Sequence, residues 1–85
     1  MNRIRITTVR DNSVAVSLGL QPDDILETLA DVELTTPELL SEVLSKRGGQ
    51  PSLLTYYRNG EKLNVQVASI TLGVTAFHYT QLIRH

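Results

Sequence analysis

The chain has no cysteine and no tryptophan, and only one methionine, three prolines and two histidines among its 85 residues. Without cysteine, neither a disulfide nor a thiolate zinc site reinforces the fold. His78 and His85 alone fall short of the three or four ligands that tetrahedral zinc takes, so no metal site is expected. An excess of one charge sign is missing too: eight Lys and Arg against nine Asp and Glu leave a formal net charge of -1. That balance removes the electrostatic ground for nucleic-acid binding. Asn2-Arg3-Ile4-Arg5 follow Met1 with no apolar stretch, so no signal peptide is expected. Tandem repeats and low-complexity tracts are absent, and a chain of this length makes one domain. Such a domain buries only about 60% of the surface its unfolded chain exposes, so its stability is expected to be modest.

What is present is ordinary for a folded domain, with 41% hydrophobic and 20% charged residues. Ile4 to Val9 alternates apolar with polar residues and reads as a strand. Arg3, Arg5 and Arg10 give this strand a slightly basic character that reads as solvated. Asn12 or Ser13 can cap a short helix from about Val14 to Leu18, burying Ala15 and Leu18, with Gly19 closing it in the left-handed conformation. Gln21-Pro22-Asp23-Asp24 is a turn, and Asp23-Asp24 reads as simple turn chemistry. Ile25 to Leu29 is the next strand, with Leu26 and Leu29 toward the core. Ala30-Asp31 predicts a tight turn into a short strand at Val32 to Leu34.

The clearest element is a helix over Pro37 to Arg47. Thr36 suits the N-cap, Pro37 the first helical position and Gly48-Gly49 the stop. Leu39, Leu40, Val43 and Leu44 fall on one face, and Glu42 and Lys46 form an i,i+4 pair on the outside. Ser52 to Arg58 and Glu61 to Val67 flank Asn59-Gly60, the strongest short-range hairpin signal. Within that hairpin, Tyr56 is expected inside and Tyr57 outside. The tail from Ile70 to Ile83 is again β-prone. Strands with two interspersed helices predict an α+β domain.

At this point the residues resemble a family. Asn12-Ser13-Val14-Ala15 through Gly19-Leu20-Gln21-Pro22-Asp23-Asp24-Ile25 is similar to the N-S-x-A…G-L-x-P-G-D-x-I stretch of bacterial PDZ domains. The downstream order of strand, short strand, amphipathic helix and an R-N-G hairpin at Arg58-Asn59-Gly60 matches as well. The similarity covers roughly residues 4–67. Asp23 stands where the family has Gly, and Ala30-Asp31 where it has N-G. Both departures fall at turns that favour positive φ, away from the ligand groove.

The resemblance implies a PDZ-like, five- to six-stranded partly open β-barrel or sandwich. Two helices would cap it, a short one at about 14–18 and a long one at about 37–47. It also implies a peptide-binding module without catalytic activity or cofactor. Its partners would be hydrophobic protein C-termini or extended peptides, added as a strand to a sheet edge. The family's G-[LF]-G-[FIV] carboxylate loop has no place before Ile4. Thr71-Leu72-Gly73-Val74 followed by Thr75-Ala76-Phe77 resembles that loop and strand in the permuted order of some bacterial members. By this alignment Leu72, Gly73 and Val74 hold a terminal carboxylate, Leu72 and Val74 line a side-chain pocket, and residues 74–78 take the strand. Pro37, Ser41 and Leu44 face the groove, with Leu40 at its apolar floor. Pro37 replaces a histidine found in some relatives and leaves no donor at that end.

Residues 72–74 also read as a plain strand entry with a glycine at a bend. Ser17, Ser41, Asp24 and His78 show no nucleophile elbow or paired carboxylates, so an enzyme is not expected. By family analogy the module is a regulatory or substrate-tethering part of a larger bacterial protease or membrane-anchored protein, in the periplasm or at a membrane. Other domains of the same polypeptide are then possible partners, and the domain itself is expected to be monomeric. The alternative is an assembly domain with a closed groove, self-associating through Phe77 or Tyr79.

Overall fold

A computed structural model describes residues 2–80 of the chain. Its elements follow the predicted order: β1 (Asn2–Val9), α1 (Val14–Ser17), β2 (Ile25–Leu29), β3 (Val32–Glu33), α2 (Pro37–Arg47), β4 (Ser52–Arg58), β5 (Glu61–Val67) and β6 (Val74–Thr80). The strands form one open, antiparallel, six-stranded sheet in the order β5-β4-β2-β1-β6, with β3 paired to β2. The molecule is therefore a small α+β domain with two helices. Met1 and the tail positions Leu82, Ile83 and His85 lie outside the described residues.

Period-two alternation decides which face of the sheet is buried. Ile4 and Ile6 of β1, Leu26 and Leu29 of β2 and Leu54 of β4 are fully buried. Leu40, Val43 and Leu44 of α2 join the same core, as do Ala15 and Leu20 near α1. Tyr56 is buried and Tyr57 half-buried, as the alternation predicts. Leu18 is half-buried and caps α1 rather than belonging to it.

The turns explain where the chain reverses. Asn59 (φ 54°) and Gly60 (φ 79°) are both left-handed, which suits the right-handed twist of the β4–β5 hairpin. Ala30 (φ 50°) and Asp31 (φ 66°) adopt the same pattern between β2 and β3 without its usual residues. Asp23 is also left-handed, at φ 76°. A side chain at such a position costs about 1 kcal/mol. Asp31→Gly is therefore expected to stabilise the domain by about 0.5–1 kcal/mol. A rise in the urea midpoint at unchanged slope checks it.

Three local expectations need correction. Thr36 has the extended N-cap backbone, but its side chain makes no cap hydrogen bond. The Leu39 amide donates instead to the Thr36 carbonyl, at 3.2 Å. Arg3 is not solvated: it is buried on the sheet face away from the helices, and its guanidinium pairs with Glu27 Oε2 at 3.0 Å. Tyr57 donates to the same oxygen at 2.9 Å. Asp24 is more than a turn residue. It is buried, receives Arg58 Nε at 2.8 Å and Nη2 at 2.7 Å, and accepts from the Gln21 amide at 2.9 Å. This hydrogen-bonded carboxylate raises the Arg58 pKa above its ordinary value. The linked stability is complete below the ordinary arginine value and lost only as pH rises through the raised one, so it is constant across the neutral range.

Candidate functional site

The segment from Thr71 to Val74 runs between β5 and β6 and is tied down from beneath. The Leu72 carbonyl accepts from the Ala15 amide at 2.9 Å, and the Gly73 carbonyl accepts from the Arg10 amide at 2.9 Å. The first of these bonds satisfies an amide that the start of α1 leaves without a helical partner. Ser13 Oγ accepts from Val16 and satisfies another. The segment and α1 therefore hold each other, and four helical residues need no propensity of their own.

This anchoring sets the direction of two amides. In a trans peptide the carbonyl and the N–H point opposite ways, and the described residues contain no cis bond. Because both carbonyls point inward, the N–H groups of Gly73 and Val74 point away from α1 and β1. Gly73 has φ 82°, the left-handed conformation that lets successive amides turn toward one concavity. Among the described residues neither amide donates to an acceptor outside the β-ladder. The glycine also permits close approach: a Cβ there would overlap Ser13 Cβ and stand 3.1 Å from Ser13 Oγ.

β6 then extends along the edge of the sheet, hydrogen-bonded to β1 on one side. The Gly73–Arg10 bond fixes the alternation. Residues 73, 75, 77 and 79 direct backbone groups toward β1, in line with the Thr7 hydroxyl donating to the Thr75 carbonyl at 3.1 Å. Val74, Ala76 and His78 direct theirs outward, where no described strand pairs with them. The side chains divide the other way. Ala76 lies opposite Ile6 and His78 opposite Ile4, so these two face the side of the core and α2. Phe77 lies opposite Arg5 and Tyr79 opposite Arg3, on the far face. An extra residue at Thr7, a β-bulge on β1, shifts the register between the Ile6–Ala76 and Thr8–Thr75 pairs.

The sequence-predicted residues divide accordingly. Gly73, Val74, Thr75, Ala76 and Phe77 form one continuous edge. Leu72 is 4% exposed and belongs to the core, so what it offers at the surface is backbone. Helix α2 packs beside β6. Pro37 is half-buried and Ser41 exposed on it, while Leu40 and Leu44 are buried. The sequence did not single out Ser13, Ala15 and Arg10 as the support of the loop. No local pattern marks them, because their partners lie in the last quarter of the chain.

A cleft of about 260 Å³ lies elsewhere, where α2 meets the β2–β3 hairpin, lined by Ala30, Val32, Leu39, Glu42, Val43, Lys46 and Arg47. It shares no residue with the predicted groove. Its charged rim is internally paired: Lys46 with Glu42 at 3.2 Å, and Arg47 with Ser52 Oγ at 2.8 Å and the Pro51 carbonyl at 2.9 Å. β5 is the sheet's other edge strand, but the edge of β6 is the better candidate, because it is headed by the outward amides of Gly73 and Val74. Among the described residues no cluster of His, Asp or Glu is arranged to hold a metal ion. None of their helices is long and apolar enough to cross a membrane. No protein-family model matches the chain, and no curated protein matches it either.

Proposed function

We propose that the domain is a PDZ-like peptide-binding module that takes a C-terminal segment as an added strand on β6. One observation carries the reading. The Leu72 and Gly73 carbonyls are held inward, which aims the Gly73 and Val74 amides outward at the head of an unpaired strand edge. Two amides converging at a left-handed glycine suit a carboxylate, and the edge beyond them suits the residues that precede it. Val74 and Ala76, half-buried against the core on the α2 side, favour apolar ligand side chains there. The module carries no chemistry of its own. In a larger bacterial protease or membrane-anchored protein it would tether or sense polypeptide ends.

A labelled decapeptide ending in Val is expected to bind with its carboxylate free and to lose about tenfold or more in affinity when amidated, because a charge-assisted pair of hydrogen bonds is removed. Fluorescence anisotropy reads the difference. Equal affinity of the two forms counts against the carboxylate site. The second reading, self-association, rests on Phe77, which is 60% exposed on this same edge strand. A sedimentation coefficient that rises through the micromolar range would favour it, and a constant monomer value would remove it.

A further inference from the structure

The proposed site has a second face, and the register of β6 assigns it a ligand position. The inference rests on the reading of β6 as the peptide-binding edge. Val74 turns both its N–H and its C=O outward, so it pairs with the ligand's last residue when the carboxylate sits on the Gly73 and Val74 amides. The ligand runs antiparallel to β6 in that arrangement. Counting back, its second-last residue lies opposite Thr75, its third-last opposite Ala76 and its fourth-last opposite Phe77.

Directly opposed residues in an antiparallel pair share a face. The last and third-last side chains therefore turn toward α2, with Val74 and Ala76. The fourth-last side chain turns to the far face of the sheet, beside Phe77. That face is open around Phe77: the ring is 60% exposed, among the largest exposures of any big apolar side chain described. Its neighbour across the sheet is Arg5, which sits with its guanidinium 5.7 Å from the Tyr79 ring rather than over Phe77. Among the described residues the outer flank of Phe77 thus has no cross-strand partner, and an added strand supplies one.

We infer that Phe77 is a specificity-determining residue, and that the ligand carries an aromatic or β-branched residue at the fourth position from its C-terminus. Such cross-strand pairs are more favourable than pairs with alanine, and an exposed polar or charged residue at that position leaves Phe77 in water.

The test uses decapeptides with a free carboxylate and a C-terminal Val that differ only in Phe, Val, Ala or Asp at the fourth-last position. They are titrated against the wild-type domain and Phe77→Thr, which keeps a strand-forming residue on an exposed site. Thermal unfolding verifies that the variant is folded. The expected result is about threefold to fivefold tighter binding of the Phe peptide than of the Ala peptide by the wild type. In Phe77→Thr this preference should disappear, with the Phe and Ala peptides binding equally. Equal binding of all four peptides to the wild type overturns the inference and leaves the peptide-binding edge standing. So does a preference that persists in Phe77→Thr. No binding by any of the four overturns the edge reading, and the inference falls with it.

Discussion

Gly73→Ala is expected to destabilise the domain by about 3 kcal/mol, from two separable sources. The residue is left-handed at φ 82°, which costs a side chain about 1 kcal/mol. The new methyl group would also run into Ser13 Cβ, and that contact is backbone-anchored on both sides. Ser13 is the N-cap of α1 and cannot move aside without releasing Val16. The two costs separate in a double variant. Ser13→Gly removes the obstructing atoms, and glycine at an N-cap costs only a few tenths of a kcal/mol relative to serine. Ser13→Gly in the Gly73→Ala background should therefore restore about 1–2 kcal/mol, leaving the left-handed penalty. Guanidinium unfolding of the four proteins measures this. A Gly73→Ala domain as stable as the wild type would mean that the loop does not press on α1 as described. The position is thus demanded by the fold and by the loop geometry together, so loss of binding in this variant alone would not separate them.

Arg58→Met is expected to cost about 3–4 kcal/mol, because it leaves the Asp24 carboxylate buried without its counter-ion. Asp24 is 1% exposed, and the two Arg58 hydrogen bonds account for most of its partners. Arg58 also donates to the Gly19 carbonyl at 2.9 Å, so one side chain joins the end of β4, the turn before β2 and the loop after α1. Methionine preserves much of the aliphatic bulk, which confines the effect to the lost pairing. Asp24→Asn in the Arg58→Met background should recover part of the loss, since a neutral amide is cheaper to bury and its carbonyl oxygen still accepts from Gln21. A loss below about 1 kcal/mol for Arg58→Met would place this pair with ordinary surface ion pairs.

These two positions mark the boundary of what the sequence discloses. Local signals carried the element order. Pro37 at the helix start, Gly48 at its stop (φ 58°) and the left-handed Asn59-Gly60 turn each impose a conformation on their own few residues. Alternation then sorted Leu26, Leu54 and Tyr56 to the core. The strand after Gly73 was legible in the β-prone tail, and Gly73 adopts the positive φ that its residue type allows. What alternation cannot express is a partner far along the chain. Asp24 meets Arg58 34 positions away, and Arg3 meets Glu27 24 positions away. Each looks like a solvated charge until the strands pair. Leu72 is misjudged for the same reason: its side chain joins the core and its carbonyl accepts from the Ala15 amide, both contacts far along the chain. Thr36 shows the opposite limit. A suitable capping residue in a suitable backbone conformation still leaves its hydroxyl outside the helix bonding.

The most direct measurement is the amide spectrum of the 15N-labelled domain during titration with a Val-ending decapeptide, free and amidated. The account predicts large downfield shifts of the Gly73 and Val74 amides with the free carboxylate, smaller shifts at Ala76 and His78 along the edge, and loss of the Gly73 and Val74 response on amidation. Binding that shifts the cleft residues Val32, Leu39 and Val43 while leaving Gly73 and Val74 unmoved would contradict it.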